Sequence, residues 1–377
     1  MTLVKAWRER QTLWDNYVSK EDRDLLLRLT LWVLMPVFVL LHECGHAAAT
    51  LLFNGKIAEF DYGFFWGKVV PSGFFTPEQD LIITLAGSVV ELICGIISLI
   101  AAVNLTSPPV VRLLVYLGMS TLFQTAIGYP MLSLTGMYGD WIQIYTTQAQ
   151  SWIPWIATVH GIVIAAFLYA VYAKAPKLWF CEKTNPEWAE RLRVKLEEIK
   201  AKPSEDLYLD LAWLFFEVDL NSFAQHAVDA ARTKNPQFVD PLYLEAWIKI
   251  GQKKTAAGLA SLEELSKNPA ANALLQTRAL MSIGIVEESE IARKTRGGPI
   301  PREMLKRPLD VYTEAAKLSP QLCDPRFYRA RTLNKVGLHT TALEELEALT
   351  DCNWLDSKLP GLVHDEIDKA RRLSSPP

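Results

Sequence analysis

The sequence predicts an all-α membrane protein: a polytopic bundle of about four transmembrane helices, with a possible small membrane-associated β-hairpin, followed by a soluble α-helical repeat domain. The first observation is the charge distribution, because residues 29–173 hold 10 charged residues in 145 and residues 174–377 hold 60 in 204. The second is a set of long apolar runs in the first part. The third is a repeated pattern of amphipathic helices in the second part.

The whole chain is nearly neutral, with 39 basic and 42 acidic residues in 377, so composition gives no support for a nucleic-acid partner. The residues before the first apolar run carry many charges, and that run is too long for the core of a cleavable signal peptide. We therefore expect it to remain in the mature protein. The predicted division is a polar N-terminal segment (1–28), a transmembrane domain (29–173), a linker or helix (174–204), a helical-repeat domain (205–373) and a disordered tail (374–377).

Four apolar runs are long enough to cross the hydrocarbon core of a bilayer, which takes about 20 helical residues. Each contains at most one charged residue. They are Leu29 to Phe53, Leu81 to Val103, Pro109 to Met131 and Trp152 to Ala173. Between the first two, Gly63 and Gly67 interrupt an aromatic-rich stretch, which predicts a short β-hairpin over Ile57 to Val70, at or dipping into the membrane.

Basic residues cluster before the first span, at Lys20, Arg23 and Arg28, and after the last, at Lys174 and Lys177. The positive-inside bias then predicts that both ends of the four-span bundle are cytoplasmic. We expect an integral, multi-pass protein, in the inner or plasma membrane of a cell, with a cytoplasmic C-terminal domain.

The five cysteines are odd in number and scattered, so they indicate neither a disulfide framework nor a CxxC zinc site. They predict buried thiols in a reducing compartment. Among them, Cys44 is expected to serve packing.

The first span contains an HExxH motif, formed by His42, Glu43 and His46. Residues four apart lie on the same helix face, so both imidazoles can converge on one metal ion with Glu43 beside it. Ionisable groups in a transmembrane helix are costly and usually functional. The pattern predicts a catalytic zinc site, and the alternative is a buried His-Glu-His group that joins helices.

A catalytic zinc ion needs a third protein ligand and an open position for water. The acidic candidates are Glu91 and Asp140. Asp140 follows a stretch with Pro130 and three glycines, which would unwind a span near its end, as backbone that lines a wet cavity can do. Glu91 is expected either to orient a ligand or water, or to replace Asp140 as the ligand. His160, in the last span, is expected to form a hydrogen bond between helices.

These motifs make residues 29–145 resemble the site-2 protease family of intramembrane metalloproteases. The resemblance rests on His42-Glu43-Cys44-Gly45-His46, on Leu85-Ala86-Gly87-Ser88 and on the stretch from Pro130 to Asp140. It implies that His42, His46 and Asp140 bind zinc and that Glu43 is the general base. The sequence departs from the family pattern at four positions: Ser88, Glu91, Gly128 and Trp141. The family's usual orientation of the HExxH helix is also opposite to the one that the charges predict.

The second half repeats short helix signals. Lys234-Asn235-Pro236 recurs as Lys267-Asn268-Pro269, and an Asp-Pro pair at Asp240 recurs at Asp324. In each Asp-Pro unit, Asp is expected to cap a helix that begins with Pro, and a second helix follows at Thr255 or Thr340. Helix pairs of about 34 residues have the tetratricopeptide period. We expect three or four such pairs, with these small contact residues: Ala246, Ala257, Ala330 and Ala342.

The sequence therefore predicts a zinc-dependent intramembrane endopeptidase with one Zn²⁺ per chain, the lipid bilayer around it and a membrane protein as substrate. The helical repeats are expected to bind a protein or peptide partner, or simply to stabilise the membrane domain. The alternative function is a catalytically inactive membrane scaffold that acts through the repeats. A zinc transporter is disfavoured, because transport paths need ionisable residues on several spans.

Overall fold

The computed structural model describes residues 2–15, 18–135, 139–295, 298, 300–349 and 352–374. The described chain is mainly helical with a single two-stranded sheet, which confirms the predicted fold class. It divides into two compact units, Met1–Arg191 and Leu192–Pro377. The division falls within the predicted linker, residues 174–204, and the helix after the last span packs against the third span.

The first unit contains the apolar helices and the sheet. Its elements are α1 (Thr2–Arg8), α2 (Arg10–Leu13), α3 (Lys20–Leu29), a π-helical turn (Thr30–Leu34), α4 (Met35–Leu52), β1 (Lys56–Tyr62), β2 (Gly67–Ser72), α5 (Pro77–Asn104), α6 (Pro108–Phe123), a second π-helical turn (Gln124–Gly128), α7 (Tyr129–Leu134), α8 (Asp140–Tyr145), a 3₁₀ turn (Gln150–Trp152), α9 (Ile153–Tyr172), α10 (Lys174–Thr184) and α11 (Pro186–Ala201), which continues into the second unit.

In the described part of the chain, four continuous helical segments are long and apolar enough to cross a membrane: Glu21–Leu52, Pro77–Asn104, Pro108–Ser133 and Gln150–Tyr172. They overlap the four predicted spans and are compatible with a multi-pass membrane protein. The first begins earlier than predicted, because Ser19 and Asp22 form a capping box that starts α3, and the helix then runs without a break into α4. Residues of the N-terminal segment therefore join the bundle, with Leu13 and Leu26 fully buried.

The predicted hairpin is present. β1 and β2 pair antiparallel, from Lys56 opposite Ser72 to Tyr62 opposite Gly67, with an irregularity between Ile57 and Glu59. The hairpin packs on α4, where the Tyr62 hydroxyl donates a hydrogen bond to the Pro36 carbonyl at 2.8 Å. This contact holds the hairpin against the helix that carries the HExxH motif.

The third span ends through a π-helical turn. Pro130 was expected to unwind the helix, but it lies at the start of α7 and the helix continues to Leu134. Since proline has no N–H, the Ala126 carbonyl four residues earlier loses a helical donor. It accepts a hydrogen bond from His160 Nε2 at 2.7 Å, which joins α9 to this turn as the sequence predicted for His160. The described chain resumes at Gly139, and Asp140 then begins α8; residues 136–138 of the predicted unwound stretch lie outside the described residues.

The second unit is built from pairs of helices, as the repeats predict. Its helices are α12 (Glu205–Glu217), α13 (Asn221–Lys234), α14 (Pro241–Gly251), α15 (Thr255–Ser266), α16 (Ala273–Lys294), a 3₁₀ turn (Arg302–Leu305), α17 (Lys306–Leu318), α18 (Asp324–Lys335), α19 (His339–Glu347) and α20 (Leu359–Ser374). Consecutive helices from α12 to α20 pack against each other. Of the predicted tail, Ser374 ends α20, and residues 375–377 lie outside the described residues.

Two details of the repeats differ from the prediction. Ala257 is exposed, and the neighbouring Gly258 is the buried contact: a Cβ there would lie 2.8 Å from the Ala246 carbonyl oxygen. Neither predicted aspartate caps its helix through its side chain: Asp240 is the N-cap residue of α14 but makes no side-chain cap hydrogen bond, and Asp324 is the first residue of α18. The Asp324 side chain binds elsewhere. It accepts hydrogen bonds from the backbone N–H groups of Leu355 and Asp356, at 2.9 and 3.0 Å, so it holds the segment before α20.

The prediction that all cysteines are buried thiols is wrong. Cys323 and Cys352 form a disulfide, and Cys44 is exposed on α4. The two paired cysteines are 29 residues apart, a separation with no pattern of its own. They meet because the Asn353 backbone pairs with the strand-like segment at Gln321 and Cys323, through hydrogen bonds of 2.9 and 2.8 Å.

Candidate metal centre

The HExxH motif lies on the buried face of α4, where His42, Glu43 and His46 are each 6–7% exposed. The two imidazole rings are one helical turn apart, with centroids 4.7 Å apart. Cys44 points to the other side of the helix and is exposed, so it is not near the rings' common face. The sequence prediction that both histidines face one point is therefore met by the geometry of α4.

Asp140 comes to both histidines from almost a hundred residues away. Its Oδ2 atom lies 2.9 Å from His42 Nε2 and 3.2 Å from His46 Nε2. The backbone N–H of Asp140 donates a hydrogen bond to the Tyr129 hydroxyl at 3.2 Å, which ties the first residue of α8 to α7. One ligand atom from each of these three side chains lies within 4.8 Å of the others.

The other ring nitrogens are held by acceptors on α5. His46 Nδ1 lies 2.7 Å from the Ile83 carbonyl oxygen, and His42 Nδ1 lies 3.3 Å from Glu91 Oε2. Glu91 also accepts a hydrogen bond of 3.0 Å from Thr125. Glu91 is thus on the side of His42 that faces away from Asp140, where it orients the ring. Such acceptors behind the ring are the usual support of histidine ligands in metal sites.

His46 Nε2 and the Asp140 carboxylate face each other as two hydrogen-bond acceptors. A carbonyl oxygen only accepts, so the Ile83 contact requires a proton on His46 Nδ1. In a neutral ring, His46 Nε2 then carries a lone pair, and that lone pair faces a carboxylate oxygen of Asp140. Two acceptors at hydrogen-bond distance repel each other unless a cation lies between them or the ring is doubly protonated. Two imidazole nitrogens and one carboxylate oxygen are a typical ligand set for zinc, so these residues fit that ion.

Gly87 forms the floor of this cluster. A Cβ atom at position 87 would lie against His46 Nε2 and only 2.6 Å from His42 Nε2, so only glycine leaves the space between the nitrogens open. Gly45 has a related role, because a Cβ there would meet the Ala86 carbonyl oxygen at 2.7 Å. The glycine at 45 thus lets α4 and α5 approach closely enough to place the rings over position 87.

Glu43 faces a cavity of about 360 Å³, which it shares with His42, Glu91, Tyr129 and the tip of the hairpin. Gly67, the first residue of β2, lies so close that a Cβ atom there would be 2.7 Å from Glu43 Oε1. The hairpin residues Phe65 and Trp66 complete the wall. The arrangement provides a carboxylate beside the cluster and a space that reaches it.

Sequence reasoning named His42, Glu43, His46, Glu91 and Asp140, and the structure brings all five together. It missed Tyr129 and Gly67, which carry no motif of their own. Gly87 belongs to the Leu85-Ala86-Gly87-Ser88 motif, but the sequence alone did not predict that it lies beneath the two imidazoles.

Comparison of the sequence with protein-family models gives no match, and no curated protein matches it either.

A prediction follows for Gly87. We expect Gly87→Ala to lower the affinity of the purified protein for added Zn²⁺ at least about tenfold, because the new methyl group occupies the space between His42 Nε2 and His46 Nε2. The affinity is measured by competition with a zinc-sensitive chelator, alongside the thermal unfolding midpoint. Gly161→Ala is the matched control, since Gly161 is also in an apolar helix and a Cβ there meets nothing within 4 Å. Wild-type zinc affinity in Gly87→Ala would contradict this role.

Proposed function

We propose that this chain is a zinc-dependent intramembrane endopeptidase, similar in mechanism to the site-2 proteases. The observation that carries the proposal is the convergence of His42 Nε2 and His46 Nε2 on Asp140 Oδ2, with both Nδ1 atoms already held by acceptors. Glu43 beside this cluster supplies the carboxylate that peptide hydrolysis requires.

In this proposal His42, His46 and Asp140 hold one zinc ion, and Glu91 orients His42. When bound, zinc would lower the pKa of a water molecule towards about 7 and polarise a substrate carbonyl. Glu43 accepts the proton of the attacking water on its carboxylate and returns it to the nitrogen of the leaving amine. The reaction consumes one water and breaks one peptide bond.

The proposed substrate is a transmembrane or membrane-proximal segment of another protein. A peptide bond in a helix is shielded by its own hydrogen bonds, so the segment must unwind locally before it reaches Glu43. We propose that the hairpin captures the unwound segment by strand addition, because β2 begins beside Glu43 and extended peptides bind readily to strand edges.

The test is cleavage of a reporter protein with one transmembrane helix, reconstituted with the purified chain in bilayers. We expect cleavage within or next to the helix, loss of cleavage on zinc chelation and its return when zinc is added back. Absence of both cleavage and zinc would instead favour the membrane scaffold, with function in the helical repeats.

A proline substitution tests the strand-addition step. Gly63 N–H bonds to the Trp66 carbonyl next to the turn, so by the alternation of antiparallel pairs Val69 directs its N–H away from β1. We expect Val69→Pro to reduce cleavage about tenfold with zinc content unchanged, because one backbone donor is lost. Val69→Ala, which keeps the N–H, is the control. Equal rates for the two variants would contradict strand addition.

We further propose that the protein lies in the inner or plasma membrane with the helical repeats on the cytoplasmic side, where they bind a protein or peptide partner. The support is the cluster of basic residues at both ends of the bundle. The Cys323–Cys352 disulfide instead favours a domain outside the cytoplasm, because disulfides persist mainly in oxidising compartments.

The orientation is measured by adding a protease that does not cross membranes to intact cells. A cytoplasmic domain should remain undigested until the membrane is permeabilised. Digestion of residues 192–377 in intact cells would place the domain outside, as the disulfide suggests.

A further inference from the structure

A second cavity, separate from the one at Glu43, lies on the other side of the proposed zinc site's residues Glu91 and Asp140. Its volume is about 310 Å³, and its walls come from α5, the π-helical turn at Gln124–Gly128, α8 and α9. The cavity shares none of its lining residues with the cavity at Glu43. Its lining is almost wholly apolar, apart from Ser88, Thr125, His160 and the indole nitrogens of its tryptophans.

Two polar atoms in this lining lack partners. Ser88 Oγ and Trp141 Nε1 are buried and have no hydrogen-bond partner among the residues that the structure describes. Their residues are 5% and 7% exposed. An indole N–H is a donor only, so it needs an acceptor oxygen, and leaving it without one is unfavourable. The other polar groups are satisfied: Thr125 bonds to Glu91, and His160 bonds to Tyr145 and Ala126.

The cavity therefore suits an apolar molecule with a neutral acceptor oxygen. Among the residues that the structure describes, no lysine, arginine, aspartate or glutamate lines it, so an anionic group such as a phosphate would find no counter-charge from them. At about 30 Å³ for a water-sized group, 310 Å³ holds roughly ten methylene groups, a large part of one acyl chain.

The position of the cavity indicates a bilayer lipid as the source of that molecule. Trp152 and Trp155, at the start of the last span, line the cavity and are 52% and 69% exposed. Exposed tryptophans at a helix end mark the membrane interface, just where the ester carbonyls of lipids lie. The adjoining wall is α9, in which no residue is buried, so a lipid chain can enter from the side.

We propose that this cavity binds an acyl chain of a bilayer lipid, with the lipid's ester carbonyl oxygen accepting a hydrogen bond from Trp141 Nε1. The site stands independently of the proposed protease activity. It nevertheless adjoins the proposed metal site, because Trp141 directly follows Asp140 in α8. The Trp141 ring also contacts the His160 ring on α9, with centroids 4.2 Å apart and planes tilted by 30°. A bound lipid thus holds α8, and with it Asp140, against α9.

The test measures lipid that stays bound to the full chain. The protein is reconstituted in nanodiscs of phosphatidylethanolamine and phosphatidylglycerol, transferred to mild detergent and examined by native mass spectrometry. We expect wild type to retain one diacyl lipid. Val159→Trp, which fills the cavity, should abolish retention, and Trp141→Phe should lower it about tenfold, because one hydrogen bond is lost.

Ile162→Trp is the matched control, since Ile162 is exposed on the same helix but does not line the cavity. It should retain lipid as wild type does, and the unfolding midpoints of all variants should agree. The proposal is overturned if wild type retains no lipid, if Val159→Trp retains as much as Ile162→Trp, or if a transmembrane peptide displaces the lipid mole for mole, which would assign the cavity to a protein segment.

Discussion

Replacement of Glu43 by glutamine should abolish proteolysis and leave the metal in place. The amide has nearly the same size as the carboxylate but cannot accept the proton of the attacking water, so we expect the cleavage rate to fall by at least about 10³-fold. Because Glu43 lies beside the ligand cluster and none of its atoms belongs to the His42, His46 and Asp140 set, zinc content should stay within about twofold of wild type. Cleavage is followed with the reporter helix, and zinc is measured on the same sample.

The control for this exchange is Glu78→Gln, which makes the same chemical change at an exposed glutamate in the first turn of α5. It should cleave as wild type does. If Glu43→Gln retained its rate, the assignment of the general base would be wrong. If it lost zinc as well as activity, Glu43 would be part of the metal site and not beside it.

The second large effect concerns the two carboxylates that the sequence left as alternatives. We expect Asp140→Asn to remove zinc from the purified protein, because a carboxamide is a poor ligand and only two imidazoles would remain. The matched exchange Glu91→Gln should keep the ion, with an affinity lower by about 10- to 100-fold. The Glu91 carboxylate does not bind the ion but contacts His42 at Nδ1, the ring nitrogen that faces away from the ion. The reason for the difference is their position: Asp140 Oδ2 lies at both Nε2 atoms, and Glu91 Oε2 lies at His42 Nδ1.

Competition with a zinc-sensitive chelator gives both affinities. Loss of zinc in Glu91→Gln with retention in Asp140→Asn would exchange the two roles. Retention in both would contradict a three-residue site.

Much of the architecture could be predicted, because it depends on local composition. The four spans follow from uninterrupted apolar length, and the hairpin follows from two glycines that interrupt an aromatic-rich stretch. The pairing of His42 with His46 needs only the period of one helix. The helical pairs of the second unit follow from Pro and Asn at regular intervals, although the residue that forms the close contact is Gly258 and not Ala257.

The remainder depends on contacts between distant parts of the chain. Asp140 is 94 and 98 residues from the histidines it meets, and no periodicity links them. Gly87 and Gly67 matter for side chains on another helix, so their role is visible only when that helix is in place. The Cys323–Cys352 pairing likewise depends on where the segment before α20 packs.

The sequence also gives no indication of the proposed lipid site. Ser88 and Trp141 are ordinary residues of apolar segments in the sequence, and each departs from the family pattern that the chain resembles. In the structure both line one cavity, and neither Ser88 Oγ nor Trp141 Nε1 has a hydrogen-bond partner among the described residues. Two of the four departures from that pattern, Ser88 and Trp141, thus line the proposed lipid site, and a third, Glu91, lies against His42.

The central claim is that His42, His46 and Asp140 together hold one zinc ion, and X-ray absorption at the zinc edge of the purified chain tests it most directly. We predict one zinc per chain, with two imidazole nitrogens and protein or water oxygens at about 2.0–2.2 Å and no sulfur. The joint variant His42→Ala, His46→Ala should lose the ion. A chain that purifies without zinc in metal-replete medium, a zinc shell with sulfur, or full zinc content in the joint variant would contradict the claim.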